Sequence, residues 1–401
     1  MAAAVTESLP VSPEKELIDW AKSFVPRLRE AQAASDQQAR VPDALAEELH
    51  DAGVFSLMTP AAYGGMQASL LTWMDVVSEM GRGNAGVAWA ATLINACAWS
   101  VAALYPRHVC DEVFSTPRAR VAGVFAPREI KARKAPGGIF IEKGLWIFNS
   151  GVNLAQWDLL GVPRFNDNGE LVSRGIALLP ISDVKILNDW DTMGLRGSGS
   201  SSVVVENVFV PDERIADLPD ALEGKNTGAF MHVPIYRTAF MPVTAIVLTF
   251  PLLGIGQHMM EKIIEQAKGR VVKFTRYADQ LENPVLHLTL GEASAKLEAA
   301  QAMVAKGCSS IQQWADRNEV MPFSERARVR LITGSADQYI WDAVDMLGSA
   351  AGGAMARRAS LLNRLWADAK VCTMHAVVQT KSNCESFGRV LCGLATSELQ
   401  G

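Results

Sequence analysis

The spacing of apolar residues predicts helices from Glu14 to about Arg118. A first helix is expected to end at Ala52-Gly53, because glycine commonly follows the last turn of a helix. Two later segments, Leu70–Met80 and Ala85–Tyr105, are apolar around most of their circumference and carry small residues on one face. Small residues let helices approach closely, so both segments are predicted to be packed core helices.

The stretch Gly137–Pro211 is the one long region with the pattern of β-strands. Its short runs of β-branched and aromatic residues are bounded by Gly, Pro, Asn and Asp. These runs are Ile139–Ile141, Leu145–Phe148, Ile176–Leu179 and Val203–Val205. A β-module is therefore predicted between two helical blocks.

Helical spacing returns after Pro211. Along Leu290–Arg317, apolar residues at 290, 293, 297, 300, 304 and 308 form a single stripe. Three more helices are predicted at Thr249–Arg270, from a cap at Ser324 to about Ala350, and from Leu361 to about Leu394. Together the four segments predict a C-terminal four-helix bundle.

The order of these elements predicts a mainly α protein with a central β-domain. We place a helical domain at residues 1–119, a β-barrel-like domain at 120–226 and a helical bundle at 227–401. The total of 401 residues suits two or three domains. A functional site is expected where the three parts meet.

Composition narrows the class of protein. The net charge of −5 argues against nucleic acid as a partner, which needs a basic face. The six cysteines form no CxxC pair, and the N-terminus lacks a basic region followed by an apolar run, so a cytoplasmic protein with reduced thiols is expected. The most apolar run, Ala239–Gly256, contains two prolines and is expected to be a buried helix and not a membrane span.

Several familiar motifs are absent or misplaced. Gly81–Gly86 matches GxGxxG, but a helix precedes it where a dinucleotide site needs a strand, so we interpret it as a turn between helices. The histidines have no metal-ligand spacing, and neither GxSxG nor a phosphate-binding loop occurs. No metal site is predicted.

Three stretches can carry chemistry. Gly144–Gly151 combines a Trp, a Phe and a Ser with a glycine turn, which suits contact with a flat ligand. Gly194–Gly199 is a glycine-rich loop with one arginine. Both could also be ordinary β-turns. His375 lies in an apolar stretch of the last predicted helix, where it is either a core residue or a functional one.

Together these stretches resemble the acyl-CoA dehydrogenase superfamily, in which an α-domain, a small β-domain and an α-bundle hold a flavin. Leu49–Gly65 resembles the helix-to-turn segment of its N-terminal domain. Trp146–Gly151 is similar to its W-I-T-N-G flavin strand. Met193–Ser198, followed by Val203–Pro211, resembles its G-x-R-x-S and V-x-F-x-x-V-x-V-P segment. The resemblance covers most of the chain.

The sequence departs from the dehydrogenases at their catalytic base. Those enzymes remove a proton with a Glu in an I-Y-E-G-T segment that follows R-D-A-K. Here Asp368–Lys370 leads to Ala376 at the base position and His375 at the tyrosine position, and alanine cannot accept a proton. Ser349 replaces the Gln that precedes a Gly pair, and the R-Q-F-G segment is not legible around Arg270–Tyr277.

A second branch of the superfamily, the two-component or group D flavin-dependent monooxygenases, is more similar. The shared features are Gly144–Gly151, Ala155–Trp157, Gly194–Ser200, a His on the final helix and Phe387–Gly393. The resemblance implies an oxygenase component that receives reduced flavin, FADH2 or FMNH2, from a separate NAD(P)H-dependent reductase. With O2 this flavin would form a C4a-hydroperoxide and hydroxylate an aromatic or indole-like small molecule. A homotetramer is also implied.

The same resemblance implies roles for individual residues. Ser150 would accept a hydrogen bond from flavin N5–H, and His375 would stabilise the anionic reduced flavin or give the peroxide its proton. These two are the implied catalytic residues. The implied flavin-binding residues are Trp146, Phe148, Asn149, Ser150, Arg196, Gly197, Ser198, Trp366 and His375. Residues that could line a substrate pocket or belong to the core are Trp89, Trp99, Tyr236 and Met231.

Three alternatives remain open from the sequence. An acyl-CoA dehydrogenase with a relocated base predicts tightly bound oxidised FAD. A monooxygenase of the same branch could oxygenate the nitrogen of an amino sugar or the sulfur of a thiophene. A degenerate member that acts as a binding protein predicts no reaction with O2.

Overall fold

The structure, a computed structural model, describes residues 13–394. The first twelve residues, which bear on the expectation of no secretory signal, and the last seven lie outside the described part. Six helices precede the strands: α1 (Pro13–Glu30), α2 (Gln32–Gln38), α3 (Asp43–Asp51), α4 (Leu70–Gly83), α5 (Ala85–Leu104) and α6 (Arg107–Phe114).

Helices α4 and α5 form the centre of the N-terminal part. Ser69 caps α4, its hydroxyl accepting the N–H of Thr72, and Asn84 caps α5 by accepting the N–H of Val87. The GxGxxG segment is therefore a turn of one residue between two helices. Its last glycine, Gly86, allows contact with another backbone, since a Cβ there would lie 2.7 Å from the nitrogen of Gly197.

Eight strands follow in the middle of the chain. They are β1 (Val121–Val124), β2 (Glu129–Ala135), β3 (Gly138–Asn149), β4 (Trp157–Phe165), β5 (Leu171–Pro180), β6 (Lys185–Ile186), β7 (Ser201–Pro211) and β8 (Ile215–Asp217). They form two four-stranded sheets, in the orders β1-β4-β5-β8 and β2-β3-β7-β6. The sheets share one apolar core, to which Trp146 and Val203 contribute from one sheet and Leu160 from the other. The central domain is thus a pair of packed sheets and not one closed barrel.

The C-terminal part is helical again. Its helices are α7 (Leu218–Leu222), α8 (Pro234–Arg237), α9 (Phe240–Ile246), α10 (Thr249–Ala267), α11 (Pro284–Asp316), α12 (Phe323–Ala350), α13 (Leu361–Cys372) and α14 (Thr380–Leu391). Helices α10, α11, α12 and α14 pack side by side, and α10 also packs on α4 of the N-terminal part. Ser324, expected as a cap, lies inside α12, which begins one residue earlier after Pro322.

Two buried segments are long and apolar enough to cross a membrane by length and composition. They are α5 and Phe240–Ala267, and 94% and 83% of their most apolar windows are buried inside the protein. Both therefore pack as interior helices of this fold. The six cysteines are free, and four of them are buried.

One helix prediction was wrong. The last helix does not run unbroken from Leu361 to Leu394, because the chain leaves the helix after Cys372 and re-enters it at Thr380. The β-branched residues around this break favour helix less than straight-chain residues do. Other contacts satisfy the freed backbone: Asn383 donates to the carbonyl of Val377 over 3.1 Å. His375 therefore lies in a break between two helices and not on a helix.

Candidate active site

The end of strand β3 carries an irregularity that sorts its side chains. The register between β3 and β7 shifts between Trp146 and Asn149, and Phe148 adopts a positive φ of 67°. Phe148 is 64% exposed, whereas Asn149 is fully buried and Ser150 is 5% exposed. Bulges and rare backbone conformations of this kind cluster at functional sites. Here the bulge turns an aromatic ring outward and two polar side chains inward.

Ser150 is the centre of a small hydrogen-bond network. Its hydroxyl accepts from the indole N–H of Trp89 over 3.0 Å. It also forms a hydrogen bond of 2.7 Å with the hydroxyl of Ser200, in which either oxygen can donate. The hydroxyl of Ser200 lies 2.7 Å from that of Ser198. The N–H of Gly151 donates to the carbonyl of Ser198 over 2.9 Å, which ties the two turns together. The network joins α5 to both predicted loops.

The side chain of Asn149 is fixed by hydrogen bonds to the buried carboxyl group of Asp158. Its side-chain amide donates to both carboxyl oxygens of Asp158, over 2.9 and 2.8 Å. Burial raises the pKa of Asp158 to about 7, against the opposing effect of these hydrogen bonds. The amide oxygen of Asn149 has no hydrogen-bond partner among the described residues. It is thus a buried acceptor without a protein partner, the kind of group that a bound molecule or water commonly satisfies.

His375 approaches the same network from the C-terminal part. Its ring centroid lies 6.1 Å from that of Trp89, and its Nδ1 accepts the N–H of Val377 over 3.3 Å. An acceptor at Nδ1 leaves the proton of the neutral ring on Nε2. Trp89 therefore contacts both implied catalytic residues, which come from different domains.

The surroundings of His375 combine two properties. The side chain is accessible at the surface, yet burial lowers its pKa to about 4. From the two together we infer a recess around His375, enclosed by protein on most sides and open to solvent on one. No charged group contributes to this lowered pKa. The ring is therefore neutral at pH 7 and can donate through Nε2.

The loop before β7 is fixed at several points. The N–H of Leu195 donates to Asp368 of α13 over 2.6 Å, and the indole N–H of Trp190 donates to the Leu195 carbonyl over 3.0 Å. The ring of Trp190 meets that of Phe148 edge to face at 6.1 Å. Gly197 and Ser198 are buried in this loop. Phe148 and Trp190 thus form an aromatic pair beside the Ser150 turn.

Arg196 and Trp366 lie in a different place. Both line an open cleft of about 900 Å³ that Ser150 and His375 do not line. The Nε of Arg196 donates to the carbonyl of Thr192 over 3.0 Å, and the indole of Trp366 donates to Asp345 over 2.8 Å. The structure does not bring these two residues to the Ser150 network.

Trp146 is placed in the core of the β-domain. It is fully buried, and its indole N–H donates to the carbonyl of Gly161 over 2.9 Å. Its ring lies over Gly144, where a Cβ would come within 2.3 Å of it. Trp146 supports the strand that leads to Ser150, and Phe148 is the accessible aromatic residue next to the Ser150 turn.

Sequence reasoning missed Ser200 and named Trp89 only as one of four pocket-wall candidates. Trp99 and Tyr236 are fully buried and bonded to the carbonyls of Ile235 and Met58, so they are core residues. The one signal for Ser200 was its spacing two residues from Ser198. Within residues 13–394, no group of three or more His, Cys, Asp or Glu side chains could hold a metal ion.

Comparison with known proteins agrees with this architecture. The family model of the acyl-CoA dehydrogenase N-terminal domain matches residues 13–105, and that of the C-terminal domain matches residues 246–380. The p-hydroxyphenylacetate 3-hydroxylase, oxygenase component, of Acinetobacter baumannii is 28% identical over 94% of this chain and 89% of its own length. The flavin-dependent monooxygenase, oxygenase subunit HsaA, of Rhodococcus jostii is 26% identical over 88% of this chain and 92% of its own.

Solved structures lead to the same fold. XiaF from Streptomyces sp., in complex with FADH2 and glycerol, superimposes with a TM-score of 0.88 and 26% identity over 95% of this chain and 96% of that one. The two family models together match more than half of the chain. The predicted fold is therefore confirmed, and the chain belongs to the acyl-CoA dehydrogenase superfamily, with oxygenase components of flavin-dependent monooxygenases among its homologues.

Proposed function

We propose that the protein is the oxygenase component of a two-component flavin-dependent monooxygenase. It uses reduced flavin and O2 to hydroxylate an aromatic or indole-like small molecule, in the cytoplasm, and a separate NAD(P)H-dependent reductase supplies the flavin. The observation that carries the proposal is Trp89, which donates to Ser150 and lies against His375. Relatives named as oxygenase components support it over nearly the whole chain.

The residues around Ser150 fit a reduced flavin. The Ser150 hydroxyl retains hydrogen-bonding capacity beyond Trp89 and Ser200, and the Asn149 amide oxygen is a free buried acceptor. Phe148 in the same turn is exposed, which leaves its ring open to contact with a flat ligand. When bound, reduced flavin supplies the electrons that activate O2. The chain orients the ring, and Ser150 holds the proton at N5.

His375 fits the part of a neutral hydrogen-bond donor. Its Nδ1 is engaged by the Val377 N–H, so Nε2–H is the group available to ligand. A donor placed in a recess shielded by protein stabilises developing negative charge more strongly than it would in water. In this role the Nε2–H of His375 donates a hydrogen bond that stabilises negative charge on the bound ring or on the oxygen next to it.

The position of Ala376 favours oxygenation over acyl-CoA dehydrogenation. Ala376 follows His375 in the helix break and carries no proton acceptor. No nearby carboxylate raises the pKa of His375, so no Asp or Glu among the described residues acts on this ring. A dehydrogenase needs such a base to remove a proton from its substrate.

The proposal is tested by supplying photoreduced FADH2 or FMNH2 and ¹⁸O2 to the purified protein with phenols, indoles, a thiophene and an amino sugar. The expected result is one ¹⁸O atom in an aromatic or indole product, with little H2O2. Free reduced flavin without protein is the control. Equal H2O2 with and without protein, and no labelled product, would overturn the proposal. Tight binding of oxidised FAD that an acyl-CoA reduces without O2 would instead indicate a dehydrogenase.

We propose further that the protein is a homotetramer. Large apolar side chains are exposed near the start of α11 and in the loop before it, including Phe274, Val285 and Leu288. Exposed apolar area of this kind commonly marks an interface between subunits. Light scattering should give about four times the monomer mass, and a monomer would contradict this part of the proposal.

A further inference from the structure

A continuous row of buried hydrogen bonds connects α5 to the start of β7. It runs from the Trp89 indole to Ser150 over 3.0 Å, to Ser200 over 2.7 Å and to Ser198 over 2.7 Å. Each of the four side chains is at most 5% exposed. Gly199 lies between Ser198 and Ser200 in the chain and has a φ of 58°, a conformation that favours glycine. Water therefore cannot readily replace a partner within the row.

The chemistry of these groups restricts what Ser150 can offer to a ligand. An indole N–H only donates, so Trp89 always occupies one lone pair of the Ser150 hydroxyl. One proton and one lone pair remain, and Ser200 takes one of the two. If Ser150 donates to Ser200, it can accept from a ligand. If Ser200 donates to Ser150, then Ser150 must donate to a ligand. Ser200 is thus the group that takes the Ser150 proton whenever the ligand donates to Ser150.

We propose that Ser200 is a positioning residue that lets Ser150 accept a hydrogen bond from reduced flavin. This inference rests on the proposed function, with flavin N5 facing Ser150. In reduced flavin N5 carries a proton and donates, whereas in oxidised flavin N5 only accepts. Ser200 receives the Ser150 proton when N5–H donates to Ser150, so every group is satisfied with reduced flavin bound.

Replacement of Ser200 by alanine removes this acceptor. The Ser150 proton then has one remaining partner, the lone pair of oxidised N5. With reduced flavin bound, the same proton is buried without an acceptor, which weakens binding. Oxidised flavin is affected less, because its N5 takes the proton. The variant should therefore lose more affinity for reduced flavin than for oxidised flavin.

The test compares dissociation constants of oxidised and anaerobically reduced flavin for the wild type and Ser200→Ala. The ratio of the oxidised to the reduced constant should fall roughly 5- to 100-fold in Ser200→Ala, the effect of one buried group left unsatisfied. Ser201→Ala is the matched control, since Ser201 is the next residue and equally buried, at 2% against 3%. Its ratio should match the wild type. Ser200→Thr keeps the hydroxyl and should restore most of the ratio.

The midpoint potential of bound flavin gives a second readout. Each tenfold fall in the ratio should lower the two-electron potential by about 30 mV. An unchanged ratio in a folded Ser200→Ala protein would overturn this inference and leave the proposed function standing. If Ser200→Ala does not fold, Ser200→Thr provides the test, because it keeps the hydroxyl. A ratio of dissociation constants that falls at least roughly 5-fold in a folded Ser200→Thr protein would overturn the inference as well. A wild type that binds neither form would refute the proposed function itself.

Discussion

The backbone N–H of Leu195 donates to Oδ1 of Asp368 over 2.6 Å, across 173 positions of the chain. This bond fastens the glycine-rich loop of the β-domain to helix α13. It also holds Leu195 at a φ of 53°, which a residue with a branched side chain rarely adopts. The other carboxyl oxygen of Asp368 lies 3.4 Å from Arg364. Two domains that both contribute to the site are thereby joined at one carboxyl group.

Asp368→Ala should consequently destabilise the protein. It leaves the buried Leu195 N–H without an acceptor, at a cost of about 1–3 kcal/mol in the free energy of unfolding. Asp368→Asn keeps an acceptor and should cost less. Asp183→Ala, at an exposed position after β5, is the control and should change stability by about 0.5 kcal/mol or less. Urea unfolding measures all three, and equal midpoints for Asp368→Ala and the control would contradict the role of this bond.

Ser150→Ala should increase the fraction of reduced flavin that is oxidised to H2O2, because nothing then holds the N5 proton. It also leaves the Trp89 indole without its acceptor, so stability should fall by about 1–3 kcal/mol. Ser78→Ala is the matched control, because it removes a buried hydroxyl bonded to the Phe250 carbonyl over 3.2 Å, away from the Ser150 network. The control should lose stability without raising H2O2. Equal H2O2 yields from wild type and Ser150→Ala would remove Ser150 from the reaction.

The buried carboxyl of Asp158 predicts a dependence of stability on pH. Its pKa is about 7 in the folded protein, against about 3.9 in an unfolded chain. The folded state therefore retains a proton that the unfolded state has lost. The stability that this group contributes is complete below about pH 4 and is lost as the pH rises through 7.

Between about pH 4 and pH 8, the wild type should lose on the order of 3–4 kcal/mol of unfolding free energy through Asp158. Asp158→Asn has no carboxyl group to titrate at this position and should not show this loss. The unfolding free energy of the variant relative to wild type should accordingly increase from pH 5 to pH 8. Asp337 is buried, with a pKa of about 8, and acts in the same direction in both proteins, so it cancels in the comparison. The exposed Asp183→Asn serves as the control. Parallel curves for wild type and Asp158→Asn would contradict the prediction.

The fold could be predicted from the sequence because apolar residues recur every three to four positions in the helical parts and every second position in the strands. Alternation along β3 places Gly144 and Trp146 on one inner face, and their burial follows that alternation. The same alternation would have placed Phe148 inside, but the bulge turns it outward. No local signal marks this bulge, because it arises from pairing with β7.

The candidate site was less accessible to sequence reasoning for a related reason. The helix break at His375 contains neither Gly nor Pro, and tertiary contacts such as Thr380 to the carbonyl of Gly334, over 2.9 Å, stabilise it. Ser200 has no distinguishing neighbour in the sequence, and its partner Ser150 lies fifty positions away. Contacts between distant positions decide both features.

His375→Ala tests whether this histidine acts in the reaction or only in packing. A buried core histidine would cost roughly 2–4 kcal/mol on truncation, as other large-to-small core changes do. The accessible position of His375 in the helix break instead predicts a loss of about 1 kcal/mol or less. Formation of oxygenated product per folded molecule should fall roughly 10- to 1000-fold. His375→Asn should recover part of the rate, since its side chain can accept from Val377 and still donate. An unchanged rate in His375→Ala would assign the residue to packing alone.

The pH dependence of the same rate separates a shielded histidine from an exposed one. An unshifted histidine titrates at about pH 6.5, but burial lowers the pKa of His375 to about 4. The ring should therefore stay neutral from pH 8 down to about pH 5, and its contribution to the rate should be constant over that range. Stability linked to this ring is present above pH 6.5 and is lost as the pH falls through 4, because the unfolded chain takes up the proton first. Stopped-flow rates between pH 5 and pH 8, compared with those of His375→Asn, measure the effect. A midpoint near pH 6.5 that disappears in His375→Asn would show that the ring is open to solvent and not shielded in a recess.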